Sequence, residues 1–112
     1  NEICEDKIYH LPKEWDAMPN DNMKEIANPK IVHYNLFFKP WHFADVQYGR
    51  YFWKIAKETP YYKQLKEQLD AFTDEDRKKA RAGLDTMANK VNKIVDEDVT
   101  WAKVKKTTSV KI

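Results

Sequence analysis

Only two glycines, Gly49 and Gly83, occur in the 112 residues of this chain. Tight turns that need a positive φ take glycine by default, because a Cβ crowds the backbone there. So little glycine argues against a hairpin-rich all-β protein. It also leaves no glycine-rich loop to cradle a phosphate. The stock of core-forming residues is ample: 42% of the chain is hydrophobic and 13% aromatic, with four Trp, six Tyr and five Phe. A chain of this size with that content can bury a real core, so one domain or a piece of one is expected.

Composition narrows the function classes. Charged residues make up 34% of the chain, but the signs are mixed and the net charge is only +2. That balance gives no general case for a nucleic-acid partner. Cys4 is the sole cysteine, so an internal disulfide and a zinc ribbon are both excluded, and a reducing, cytoplasmic compartment fits. No apolar run in these residues approaches the length that spans a bilayer, and no stretch of them reads as a signal peptide.

The stretch Ile31 to Trp41 (Ile-Val-His-Tyr-Asn-Leu-Phe-Phe-Lys-Pro-Trp) carries residues suited to chemistry as well as packing. Its start, Ile31-Val32-His33-Tyr34, is β-branched and aromatic and reads as a short, largely buried strand. Pro40 ends ladder pairing and pushes Lys39 into an extended conformation. His33 suits a metal ligand and Lys39 a phosphate clamp. Each alone is more often structural or solvated, and no neighbouring carboxylate completes a metal set.

Around this stretch the pattern is mostly helical. Lys7–Leu11 reads as a second short strand ended by Pro12. Asp16–Asn28 reads as a loop with one helical turn at Asn22–Ala27. Apolar spacing predicts a first helix from about Asp45 to Lys57, with Asp45 in its first turn, and a second over Pro60–Ala71 opened by Thr59-Pro60. Thr73-Asp74-Glu75-Asp76 is a capping signal, and Ala80, Leu84, Met87, Val91 and Ile94 continue it as a third helix over Asp74–Val95. Its apolar stripe reads as a packing seam, stopped by Asp96-Glu97-Asp98. The fold class expected is α+β, mostly α: one or two short N-terminal strands followed by three helices. The divisions are a strand-and-loop segment 1–41, a helical part 42–98 and a basic tail 99–112.

Other candidates are weaker. Asp16, Asp45 and His42 suggest acid–base work, but no spacing pairs them. Cys4 has no identifiable helper. Tyr48, Tyr51, Phe52 and Trp53 suit stacking on sugars or bases, though their helical spacing suits a core better. Lys103, Lys105, Lys106 and Lys111, with no acid among them, suit contact with an anionic membrane surface or simple solvation.

The run His33-Tyr34-Asn35-Leu36-Phe37-Phe38-Lys39-Pro40-Trp41 resembles the C-terminal signature of glycosyltransferase family 8, in which a histidine is followed by glycine three residues on and by Lys-Pro-Trp beginning six on. His33 and Lys39-Pro40-Trp41 keep that spacing, and Leu36 stands where glycine is frequent. Leu11-Pro12-Lys13-Glu14-Trp15-Asp16 is similar to a flanking family segment, with Asp16 where Asn is usual. Phe52-Trp53 through Tyr62 is similar to the segment that follows the signature in bacterial members. The resemblance covers about residues 1 to 65 and implies a retaining, GT-A type transferase that uses Mn²⁺ and a nucleotide-sugar, usually a UDP-sugar. It would act on a glycan acceptor in cell-surface glycan assembly, in the cytoplasm or at the inner face of the membrane.

By position, the resemblance makes His33 the metal ligand and Lys39 the diphosphate contact, with Asn35 and Leu36 beside it. No Asp-x-Asp precedes His33, and the nucleotide-binding sheet has no counterpart. The resemblance therefore implies a C-terminal fragment of the enzyme that is inactive alone, binds nucleotide weakly or not at all, and is prone to dimerise through exposed edges. The alternative is a non-catalytic helical interaction module that uses the third helix as its partner face.

Overall fold

The computed structural model describes residues 3–108. Among them are four α-helices: α1 (Gly49–Ala56), α2 (Tyr62–Ala71), α3 (Asp74–Glu97) and α4 (Trp101–Thr108). Glu5–Lys7 and Lys13–Asp16 form single 3-10 turns. The described residues contain no strand and no sheet, only an isolated parallel bridge between Ala17 and Val32. The expected α+β class is thus overturned, and the described chain is helical.

Neither predicted strand finds the ladder that an extended segment needs for its N–H and C=O groups. For Ile31–Tyr34 the pairing is one residue wide. The Ala17 N–H donates to the Ile31 carbonyl at 2.9 Å, and the His33 N–H donates to the Ala17 carbonyl at 2.8 Å. Before Ala17 the chain is coiled into the 3-10 turn Lys13–Asp16, and two residues beyond it Pro19 has no N–H to donate. In the other predicted strand, Lys7 belongs to a 3-10 turn and its N–H donates to the Cys4 carbonyl at 2.9 Å. The helical turn predicted at Asn22–Ala27 is also absent, replaced by turns and irregular chain.

The chain divides into two compact units, one of Leu11–Ala82 and one drawn from Asn1–His10 with Gly83–Ile112. In the first, Ala17, Phe43, Tyr48, Ala56, Leu69 and Pro40 are buried. Helix α1 starts four residues later than its apolar spacing suggests, because Tyr48 takes the left-handed conformation (φ 63°) and holds the chain out of the helix until Gly49. Asp45 consequently lies in an exposed turn. Phe52 and Trp53 pack into an aromatic cluster: Phe52 lies 5.3 Å from Trp41 and 5.1 Å from Trp53, and Trp53 lies 6.1 Å from Tyr62, centroid to centroid. All four of these aromatics are half-buried.

Thr59 closes α1, its hydroxyl donating to the Ala56 carbonyl at 2.8 Å, so α2 begins at Tyr62 and Pro60 stays in the connecting turn. The start of α3 matches its capping signal. The Thr73 N–H and hydroxyl donate to the Asp76 carboxylate at 2.9 and 2.8 Å, and the Asp76 N–H donates back to the Thr73 hydroxyl at 3.1 Å. These bonds hold the Asp76 carboxyl below its usual pKa, the backbone donor foremost.

In the second unit, the apolar stripe of α3 is only partly a seam. Leu84 and Met87 are half-buried, whereas Val91 and Ile94 are exposed. The tail forms a helix that its loose alternation hides. The Thr100 hydroxyl accepts from the Lys103 N–H at 3.4 Å as an N-cap. Lys103 Nζ donates to the Asp96 and Asp98 carbonyls at 2.8 Å each, where the end of a helix offers unpaired acceptors. Lys111 lies outside the described residues. No helix among the described residues is long and apolar enough to cross a membrane.

Candidate functional site

The Ala17–Val32 bridge places the site residues. The bridge pairs Ala17 with Val32, which brings Asp16, at the end of the 3-10 turn, beside His33, the residue after Val32. Burial separates the two pairs: Ala17 is fully buried and Val32 half-buried, whereas Asp16 and His33 are exposed. His33 Nδ1 lies 3.3 Å from Asp16 Oδ1. A carboxylate therefore stands beside His33, supplied by the segment across the bridge instead of by its own neighbours.

Beyond His33 the chain folds into a short, tied loop. Lys39 Nζ donates to the Tyr34 carbonyl at 2.5 Å, closing residues 34–39 on themselves. Leu36 sits at the tip with φ 51°. Pro40 is buried and Trp41 packs on Phe52, so the Pro-Trp half of the motif anchors the loop in the core. Asn35 is half-buried and, with Asp16, Trp15, Met18 and Met23, lines a groove of about 510 Å³. A second, more apolar groove of about 480 Å³ is lined by Val32, Tyr34, Phe52, Ile55, Tyr61 and Leu65.

Leu36 has a conformation suited to glycine. A left-handed φ costs an ordinary L-residue about 1–2 kcal/mol, against the about 0.4–1 kcal/mol that glycine's extra freedom adds to the unfolded chain. The Leu36 side chain is 52% exposed, so little burial is lost with it. Leu36→Gly should therefore raise stability by up to about 1 kcal/mol. Urea unfolding of the two proteins measures this, and a clear loss of stability would contradict it.

A second polar cluster braces the loop from below. The buried Tyr48 accepts the Ile26 N–H at its hydroxyl (2.6 Å), and its carbonyl accepts the Tyr34 hydroxyl (2.5 Å). Its N–H donates to Glu25 Oε1 at 2.9 Å, and Arg50 pairs with the same carboxylate at 2.7 Å. Arg50, helped by the Tyr48 N–H, holds the Glu25 carboxyl below its usual pKa, while Glu25 drives the Arg50 guanidinium further up. Burial pushes the Tyr34 phenol up. Gln47 adds two bonds to the same segment, accepting from the Asn20 N–H at 2.6 Å and donating to the Met23 carbonyl at 2.7 Å.

The remaining candidates are not drawn together as a catalytic set. His42 stacks on Phe72 with centroids 4.1 Å apart, and burial pushes its pKa down. Asp16 pairs with His33, and Asp45 is exposed in its turn. Cys4 is a free, exposed thiol. Among the described residues no group of three or more His, Cys, Asp or Glu side chains is placed to hold a metal.

The signature run thus has an exposed histidine at its start, beside a carboxylate from another segment, and a lysine-closed loop on a Pro-Trp anchor after it. Residues 1–45 match the family model of glycosyl transferase family 8. The match takes in every residue of the His33–Trp41 run and supports a glycosyltransferase-related reading of this part of the chain. Neither the curated proteins nor the solved structures yield a significant match. Helices α1 to α4 all lie beyond the segment that matches family 8.

Proposed function

We propose that this chain carries the metal- and diphosphate-contacting corner of a retaining, nucleotide-sugar-dependent glycosyltransferase of GT-A type and bacterial kind. His33 is the metal ligand, and Lys39, with the backbone around Asn35 and Leu36, meets the diphosphate. The observation that carries the reading is the family 8 match over the tied loop, in which His33 is exposed beside Asp16 while Lys39 and Leu36 shape the turn that follows.

The His33 imidazole is a donor that Mn²⁺ accepts in kind. It is only one of the about six ligands that an octahedral cation takes, so the others would come from outside this set. Bound there, the cation would offset charge on a diphosphate leaving group. Lys39 would add a positive charge near the same oxygens, once its ammonium leaves the Tyr34 carbonyl. With the donor set incomplete, the chain by itself binds nucleotide weakly and does not catalyse transfer.

Paramagnetic broadening by Mn²⁺ detects such weak binding. In amide and imidazole NMR spectra, Mn²⁺ should broaden signals around His33 and Asp16 first. UDP should deepen that broadening, and His33→Ala should abolish it. Broadening no stronger at His33 than at the exposed His10 would sink the site assignment. It would leave the second reading, a helical interaction module, which is favoured by the exposed Val91, Ile94 and Val95 on α3.

A further inference from the structure

We propose that Asp16 is a positioning residue for His33: its carboxylate keeps the proton of the neutral imidazole on Nδ1 and so presents Nε2, with its lone pair, to a divalent cation. The inference rests on the proposed role of His33 as a metal ligand, but its first test does not involve the metal. The two nitrogens of a neutral imidazole differ, one carrying the proton and the other the lone pair, and the neighbour of one decides which does which. Asp16 Oδ1 lies 3.3 Å from Nδ1. A negative oxygen at that distance favours an N–H facing it and opposes a lone pair there. A carboxylate behind a metal-bound histidine fixes both the tautomer and the ring direction.

The backbone builds this pair. The bonds from the Ala17 N–H to Ile31 and from the His33 N–H to Ala17 set the bridge, and the residues just before Ala17 and just after Val32 then lie side by side with both side chains exposed. Asp and His are short, so holding them together costs less side-chain entropy than an exposed Lys–Glu pair would. Both side chains remain more than half exposed, at 62% and 58%, so Nε2 can be reached from solvent.

Long-range ¹H–¹⁵N spectra of the imidazole at about pH 8.5, where histidine is neutral, read the tautomer directly. We expect His33 in the wild-type chain to carry its proton on Nδ1, whereas His10 takes the Nε2–H form usual in water. Asp16→Ala should return His33 to the Nε2–H form. Asp16→Asn should retain the Nδ1–H form in part, because an amide oxygen can still accept. A wild-type His33 protonated on Nε2, or a tautomer indifferent to Asp16→Ala, overturns the proposal.

Mn²⁺ broadening at His33 supplies the second readout. Asp16→Ala should weaken it by about 10–100-fold in apparent affinity, with partial rescue by Asp16→Asn. If Asp16→Asn keeps the tautomer yet loses Mn²⁺ as fully as Asp16→Ala does, Asp16 is itself a ligand and the positioning role is wrong. If the tautomer responds as expected but Mn²⁺ never broadens His33, the positioning of His33 stands and the glycosyltransferase reading of the site fails.

Discussion

Phe43→Ala should cost the unit Leu11–Ala82 about 3–5 kcal/mol, the range for emptying a fully buried phenylalanine site. Phe43 is only 1% exposed. Its ring meets Phe38 at 5.5 Å and Phe72 at 6.2 Å, and the Arg81 guanidinium lies 5.2 Å from its centroid. Those neighbours come from the signature loop and from the α2–α3 connection and α3 itself, so no single element can collapse into the space. Folded domains are stable by only about 5–15 kcal/mol, so the loss takes a large share of the total. Urea unfolding followed by the fluorescence of Trp41 and Trp53, which both pack on Phe52, measures it within the right unit. A loss below about 1 kcal/mol would mean that the Phe43 site is not close-packed. Because the Phe43 ring packs on Phe38 at 5.5 Å, the same variant should loosen the loop that carries Lys39, although alanine keeps the N–H that donates to the Lys39 carbonyl.

How much of this was legible in the sequence depends on where each residue's partner lies. The start of α3 could be read from Thr73 and Asp76 alone, because both halves of the capping box are three residues apart. The extents of α2 and α3 followed from apolar spacing within one or two residues, since a helix satisfies its own backbone. Strands do not, and Ile31–Tyr34 has strand composition but only a one-residue partner at Ala17. Composition cannot count ladder bonds. Glycine content misled in a related way. Both glycines lie in helices, while the left-handed positions fall on Asn28, Leu36 and Tyr48. Of these, Leu36 had a signal as the position where the family signature often has glycine, and Asn28 had one in its residue type, since asparagine tolerates the left-handed region. Tyr48 had none, and its conformation delays α1 to Gly49. The site was half legible: the spacing of His33 and Lys39 stood out, but the Asp16 carboxylate reaches His33 only through a bridge that neither segment announces.

Tyr48→Phe should lower stability by about 1–3 kcal/mol although it removes a single oxygen, because it leaves a polar group unmatched in a poorly hydrated place. The Tyr48 hydroxyl accepts the Ile26 N–H at 2.6 Å, Ile26 is half-buried, and Tyr48 itself is 2% exposed. Phenylalanine fills nearly the same volume, so the loss is that of the acceptor and not of a cavity. The loss also has a direction through the structure. Tyr48 ties segment 20–26 to the start of α1 in company with Glu25, Arg50 and Gln47, and its carbonyl holds the Tyr34 hydroxyl at 2.5 Å. Freed at Ile26, that segment should open more often, while the helix hydrogen bonds of α2 keep their protection. Native-state hydrogen exchange separates the two effects: the Ile26 amide should exchange faster by more than the global change accounts for. Tyr61→Phe, at a site 64% exposed, should stay within about 0.5 kcal/mol of wild type. Equal losses from the two substitutions would show that the Tyr48 hydroxyl carries no special role. A loss confined to Tyr48→Phe, with faster exchange at Ile26, would establish that the loop bearing His33 and Lys39 is braced by a phenol–amide bond on the far side of Tyr34.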